Sequence, residues 1–197
     1  MKKSIIFALL LTLTFAISCK NDKKESTETE VTATEEKVVE TVNEEVKKIK
    51  IKLEPKSDSN VNGSAIFTET EGKVTMVAVF DGLTPGTHAI HLHEKSDCSS
   101  PDGKSTGGHW NPTNEPHGKW GDAKGYHKGD IGNMEADENG NATITFSTDQ
   151  WCIGCGDANK DILGKAIIVH QGVDDFISQP TGDAGGRVSC GGIISLE

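Results

Sequence analysis

Gly86-Thr87-His88-Ala89-Ile90-His91-Leu92-His93-Glu94 is the stretch on which the reading of this chain turns. As an extended strand it sends alternate side chains to opposite faces, so His91 and His93 leave the same side as a pair of imidazoles. Neutral imidazole suits copper, zinc, iron or nickel, and the pair is half a transition-metal site. Two polar residues on a solvated strand face would read the same way, and an isolated H-x-H does not choose between them. His88, three before His91, points to the other face and is expected to be a structural, hydrogen-bonded imidazole near the end of the sheet.

Outward from this stretch the text stays strand-like. Ile49-Lys50-Ile51-Lys52-Leu53 and Ala142-Thr143-Ile144-Thr145-Phe146 alternate, Val74 to Phe80 is β-branched and apolar, and Ala166 to Val169 is a short buried run. Asn62-Gly63, Glu71-Gly72, Asp81-Gly82, Pro85-Gly86 and Asn139-Gly140 mark reversals between them. Helical periodicity is not sustained in any window, so the pattern predicts an antiparallel sandwich or flattened barrel. Two long stretches, Lys95 to Asn133 and Gln171 to Gly186, resist strand assignment, and loops of that length in a compact domain are usually functional.

The chain begins differently. Met1-Lys2-Lys3 is a positive n-region, Ile5 to Ile17 is an apolar run short for a bilayer span, and Ala16-Ile17-Ser18 leads into Cys19. Residues 1–18 read as a secretory signal, and with Cys19 at the cleavage position the segment resembles a bacterial lipoprotein signal, in which that cysteine is lipidated. From Lys20 to Lys48 the sequence is rich in Glu, Thr, Lys and Val and lacks Gly, Pro and aromatic residues, which predicts a flexible acidic tether, with a frayed helix as an option between Glu35 and Val46. Residues 19–48 thus separate an anchor from a domain at 49–197, and 197 residues leave room for one such domain. The expected address is a bacterial membrane, at the periplasmic face or cell surface, the outer membrane before the inner. A formal charge of -10 argues against nucleic acid as a partner.

With Cys19 set aside, Cys98, Cys152, Cys155 and Cys190 remain, an even number that suits two disulfides outside the cytosol, with three pairings open. Cys152-Ile153-Gly154-Cys155 also has the form of a redox or metal C-x-x-C pair. It has no second such pair or nearby histidine, which favours a local disulfide.

Beyond His93 the histidines continue: His109 in Gly107-Gly108-His109-Trp110-Asn111-Pro112, His117 in Pro116-His117-Gly118, His127 in Tyr126-His127-Lys128-Gly129-Asp130, and His170 in Ile167-Ile168-Val169-His170. In order, spacing and flanking residues these motifs, spread over about Ile49 to Glu197, resemble the copper/zinc superoxide dismutase family. The resemblance implies an all-β Greek-key barrel or sandwich of about eight antiparallel strands with two long functional loops. It implies copper on His91, His93, His109 and His170, zinc on His109, His117, His127 and Asp130, and superoxide as substrate, with His109 bridging the metals and carrying protons. Asp174 takes the place of the aspartate that hydrogen-bonds a copper histidine and a zinc histidine, with Asp175 as its competitor. Arg187, in Gly185-Gly186-Arg187-Val188-Ser189-Cys190-Gly191, takes the place of the active-site arginine. Cys98 and Cys190 would be the family disulfide, leaving Cys152 and Cys155 to each other. Relatives associate in different ways, a homodimer among them.

Two departures stand out. Ala89-Ile90 replaces the usual Gly-Phe, a packing change. Phe176-Ile177-Ser178-Gln179-Pro180 makes a short neutral stretch where many relatives carry steering charges, so Lys119, Lys124 and Lys128 are expected to supply the positive field. A copper-storing lipoprotein would need the same ligands without Arg187, and a copper-only relative would lack His117, His127 and Asp130.

Overall fold

The computed structural model describes residues 46–194. The expected signal segment, Cys19, the tether up to residue 45 and all but the last residue of the optional helix lie outside them. Among the described residues eight strands form: β1 (Lys47–Pro55), β2 (Asn62–Thr70), β3 (Lys73–Asp81), β4 (Gly86–His93), β5 (Gly132–Ala136), β6 (Ala142–Thr148), β7 (Ala166–His170) and β8 (Arg187–Gly192). They close antiparallel into a barrel in the order β1-β2-β3-β6-β5-β4-β7-β8. The β3–β4 and β6–β7 connections join strands that are not neighbours, which is the Greek-key arrangement.

Alternation builds the core. Along β3, Val74, Met76, Ala78 and Phe80 are buried while Val77 and Val79 face out. Phe67, Leu53, Ile90, Leu92, Ile167 and Val169 meet them inside. Each large side chain buried this way contributes roughly 1.5–3 kcal/mol. β4 and β7 break the pattern, because from His88 onward β4 is buried on both faces and β7 is buried throughout. Ile90 and Leu92 join the barrel core, which leaves His91 and His93 on the outer face. That face is covered by the two long connections, residues 94–131 and 171–186, and this is why Ala166 to Val169 reads as an unbroken apolar run.

Three strands are weakly marked in the sequence. β2 is largely half-buried, so its alternation is blurred. β5 starts at Gly132, with φ of 122°, and takes Gly132 and Asn133 out of the expected loop. β8 is Arg-Val-Ser-Cys-Gly-Gly, poor in β-formers, and exists because β7 and β1 hydrogen-bond it from both sides. The barrel also begins at Lys47, two residues before the expected start. Cys98–Cys190 ties the first long connection to β8, and Cys152–Cys155 closes on itself within the β6–β7 connection.

Candidate metal centre

Backbone contacts carry the first long connection across the outer face of β4. The Leu92 N–H donates to Gly129 O at 2.9 Å, Trp110 N–H donates to Leu92 O at 2.8 Å, and Gly129 N–H donates to Trp110 O at 2.9 Å. Gly129 permits this approach, since a Cβ there would overlap the Leu92 carbonyl. The three interlocked peptides bring His109, beside Trp110, and His127 and Asp130, flanking Gly129, up to His91 and His93.

Two ligand groups result. His91, His93, His109 and His170 converge, as do His109, His117, His127 and Asp130, with the donor atoms of each group within 4.8 Å of one another. All eight positions, His109 counted in both groups, are buried. Among the described residues, the buried side-chain nitrogens and oxygens with no hydrogen-bond partner are His91 Nδ1, His93 Nε2, His109 Nε2, His117 Nδ1, His127 Nδ1 and His170 Nε2. An unpartnered buried polar atom costs about 1–3 kcal/mol, and six gathered in one place fit metal ions. His117 Nδ1 and His127 Nδ1 stand 3.0 and 3.3 Å from Asp130 oxygens without hydrogen-bond alignment, so ring nitrogens and carboxylate aim at a common point. Three nitrogens and an oxygen suit tetrahedral zinc, and an all-imidazole set suits copper.

The outward nitrogens are held in turn. His93 Nδ1 donates to Gly107 O at 3.0 Å. Asp174 accepts from His91 Nε2 on one oxygen and from His117 Nε2 on the other, both at 2.9 Å, so one carboxylate orients a ring in each group. His109 Nδ1 lies 2.8 Å from Asp130 Oδ1, leaving its Nε2 to the four-imidazole group. Burial pushes His91 below its ordinary range, against Asp174, and takes His93 and His170 well below it, with neighbouring imidazoles adding to the effect. Burial likewise lowers His109 to about 4, so all four rings are neutral and free to ligate. For His117 burial works downward but the adjacent carboxylates of Asp130 and Asp174 outweigh it and raise the ring to about 9, which marks a strongly cation-favouring pocket.

Arg187 stands at the start of β8, paired with His170. Its Nη1 donates to Gly103 O at 2.8 Å and Thr106 Oγ1 at 2.9 Å, and its Nη2 donates to Gly107 O at 2.9 Å. Those contacts fix a half-buried guanidinium beside the four-imidazole group, where its charge lowers His93 and His170.

Several expectations resolve here. Asp175 is exposed and turns to the Ile177 and Ser178 N–H groups, leaving Asp174 between the rings. His88 is buried, with Nδ1 2.9 Å from His170 O and Nε2 2.8 Å from Thr84 O. Ala89 N–H donates to Gly172 O at 2.8 Å, and Ile90 fills the core. The Lys128 ammonium keeps its charge while it is bonded to the neutral Gln150 amide and lies 5.8 Å from the Tyr126 ring centre. Thr106, buried and bonded to Arg187, went unremarked in the sequence, where the Gly107-Gly108 pair before His109 was the available signal of a close approach.

A Greek-key barrel carrying a four-imidazole group and a three-imidazole, one-carboxylate group on one shared histidine defines a two-metal redox centre. The family model for copper/zinc superoxide dismutase (SODC) matches residues 61–193. Superoxide dismutase [Cu-Zn] 2 of Brassica juncea is 39% identical over 148 residues, covering 72% of this chain and 93% of that protein. Among solved structures, a SOD-like protein from Bacillus subtilis superposes with a TM-score of 0.66 at 28% identity, covering 74% of this chain and 97% of that one. A double mutant of that protein gives the same TM-score of 0.66 at 30% identity. The chain therefore belongs to the copper/zinc superoxide dismutase family, with both the copper group and the zinc group intact.

Proposed function

We propose that this protein is an exported, lipid-anchored superoxide dismutase that serves antioxidant defence outside the cytoplasm. The observation that carries the catalytic reading is Arg187, fixed by three hydrogen bonds beside a buried four-imidazole group. A copper store needs the imidazoles and gains nothing from an immobilised guanidinium, whereas a reaction on a small anion uses both.

Copper, when bound, supplies the one-electron chemistry that turns two superoxide anions into dioxygen and, with two protons, hydrogen peroxide, while zinc supplies no redox step. Arg187 attracts the anion and orients it. His109 is the proton carrier: with Nδ1 directed to Asp130, its Nε2 is the atom that holds a proton and hands it to the reduced anion. Asp174 couples the two groups by fixing His91 and His117 together.

Copper and zinc analysis with a superoxide assay on the purified protein tests this reading, with Arg187→Ala and His109→Ala as comparisons. One copper and one zinc per chain with activity lost in both variants is expected, and equal metals without wild-type activity would replace the enzyme by a copper store.

Export rests on the segment before Cys19, and the disulfides Cys98–Cys190 and Cys152–Cys155 suit an oxidising compartment. In this reading lipid on Cys19 and the tether over residues 19–48 hold the domain off a bacterial membrane, the outer rather than the inner, at its periplasmic face or the cell surface. Cys19→Ser should move the protein from the membrane fraction to the soluble one. Its persistence with membranes would remove the anchor from the proposal. A homodimer is the assembly to look for, by sedimentation of the same soluble variant.

A further inference from the structure

Phe176-Ile177-Ser178-Gln179-Pro180, the stretch without charge, meets the zinc group at one residue. Phe176, Ile177 and Gln179 share a recess with Pro116, His117 and Gly118. Both halves of the Gln179 amide engage the backbone of His117. Oε1 accepts from the His117 N–H at 2.9 Å, and Nε2 donates to the His117 carbonyl at 2.8 Å. A longer contact from Nε2 to Ile177 O, 3.4 Å, closes the turn.

This is the double grip that a neighbouring strand gives a residue, supplied here by one side chain from 62 positions away. Held at N–H and C=O, His117 has its Cα–Cβ direction set, and only the two side-chain torsions remain. Asp174 Oδ1 fixes those from the far end of the ring, at Nε2. One connection thus clamps His117 at the backbone and at the ring, and its Nδ1 is left aimed at Asp130. Resting on the reading of this group as a zinc site, we infer that Gln179 is a positioning residue for zinc, holding the His117 backbone so that Nδ1 meets His109, His127 and Asp130 without rearrangement.

What this stretch gives the site is geometry in place of charge. The chemistry is specific to an amide: glutamate offers acceptors only and would set a charge against the His117 carbonyl, and alanine loses both bonds. Gln179 touches neither metal nor substrate, so its effect should appear in metal retention and ligand geometry before it appears in turnover.

The test follows zinc release from the metal-loaded protein into a chromogenic chelator, together with the visible absorption of cobalt(II) placed in the zinc group. Gln179→Ala and Gln179→Glu should each release zinc about tenfold faster, the lower end of what partners behind a metal ligand usually cost, and should shift the cobalt bands. Ile177→Ser is the loop control, because Ile177 is 79% exposed, and it should behave as wild type. Unchanged release and an unchanged cobalt spectrum in Gln179→Ala would overturn the proposal, even with a lower melting temperature, by making Gln179 a loop tie alone. Equal acceleration in Ile177→Ser would overturn it too, as general loosening of the loop. Gln179→Glu keeps the side-chain length and carries the same test should the alanine variant not fold. A wild-type chain that retained no zinc would overturn both the reading of the site and the role of Gln179.

Discussion

Arg187 and His93 are joined through one atom, the carbonyl oxygen of Gly107, which accepts from the guanidinium at 2.9 Å and from the imidazole at 3.0 Å. The guanidinium proposed to meet the substrate and an imidazole of the copper group therefore share a fixed reference point. Arg187→Ala should lower the second-order rate with superoxide by about 10²-fold, as loss of a preorganised charge-stabilising donor does, with copper and zinc content unchanged. Arg187→Lys keeps the charge without the fork that reaches Gly103, Thr106 and Gly107, and should fall between the two. Loss of copper from Arg187→Ala would show that the arginine is needed to build the site.

Asp174 serves both groups, and one substitution should therefore be felt in both. Asp174→Asn replaces an acceptor with an N–H donor facing a ring N–H. It should weaken zinc retention about 10–100-fold and shift the copper absorption as well. Gly182→Ala reaches the same bond from outside. Gly182 has φ of 69°, and a Cβ there would overlap an Asp174 carboxylate oxygen and stand 2.7 Å from His117 Nε2. Metal analysis after dialysis should show Gly182→Ala losing zinc, and full retention would mean that the Asp174–His117 link is dispensable.

Acid sensitivity should appear away from the metals, at Asp161. Burial pushes its carboxyl up, but the Gly156, Leu163 and Gly154 N–H groups, with the charge of Lys165, outweigh burial and hold it below the ordinary 3.8. The unfolded chain then takes up a proton before the folded one does. The stabilisation is complete above about pH 4 and is lost as pH falls through the lower folded value. Asp161→Asn should cost about 1 kcal/mol at pH 7, the site being partly exposed, and the gap from wild type should shrink by pH 3. Urea midpoints at the two pH values check this, and a gap independent of pH would refute it.

Lys119 and Lys124 are exposed, and Lys128 is held by Gln150 and Tyr126. Replacing Lys119 and Lys124 together by Gln should slow the reaction with superoxide about two- to fivefold at low salt and flatten its salt dependence. Lys128→Gln removes one charge where the other removes two, and should slow that rate by less while lowering stability by about 0.5–1 kcal/mol, through its lost bond to Gln150. Stopped-flow rates across a salt series separate the two. A charge-free variant with the wild-type salt slope would place the attracting field on other residues.

The outlines of this molecule are local and were legible. Period-two text at Ile49 to Leu53, Val74 to Phe80 and Ala142 to Phe146 shows a sheet protein directly, because burial on one face and water on the other leaves that trace in the residues. β5 and β8 left little trace, since one is five residues long and the other is held by neighbours on both sides. Strand geometry alone puts His91 and His93 side by side, and the motifs around His109, His117, His127 and His170 turn that pair into a metal reading. Asp174 is reached through the resemblance, and the physical distinction from Asp175 shows only in the fold, which puts one carboxylate between two rings and the other in a turn.

By itself the sequence determined the sheet period, the set of histidines and the chemistry they favour. Only tertiary structure decided how Arg187 comes to face them. Cys190 packs outside the barrel with Ala166 and Ile168, and strict alternation from Cys190 would turn Arg187, three residues earlier, inward. Between β7 and β8 the register slips by one, from Val169 opposite Ser189 to His170 opposite Arg187, with Val188 packed against the core. The slip is a β-bulge, which re-aims a side chain by changing what a strand pairs with, and pairing is a property of two strands that neither one's residues spell out.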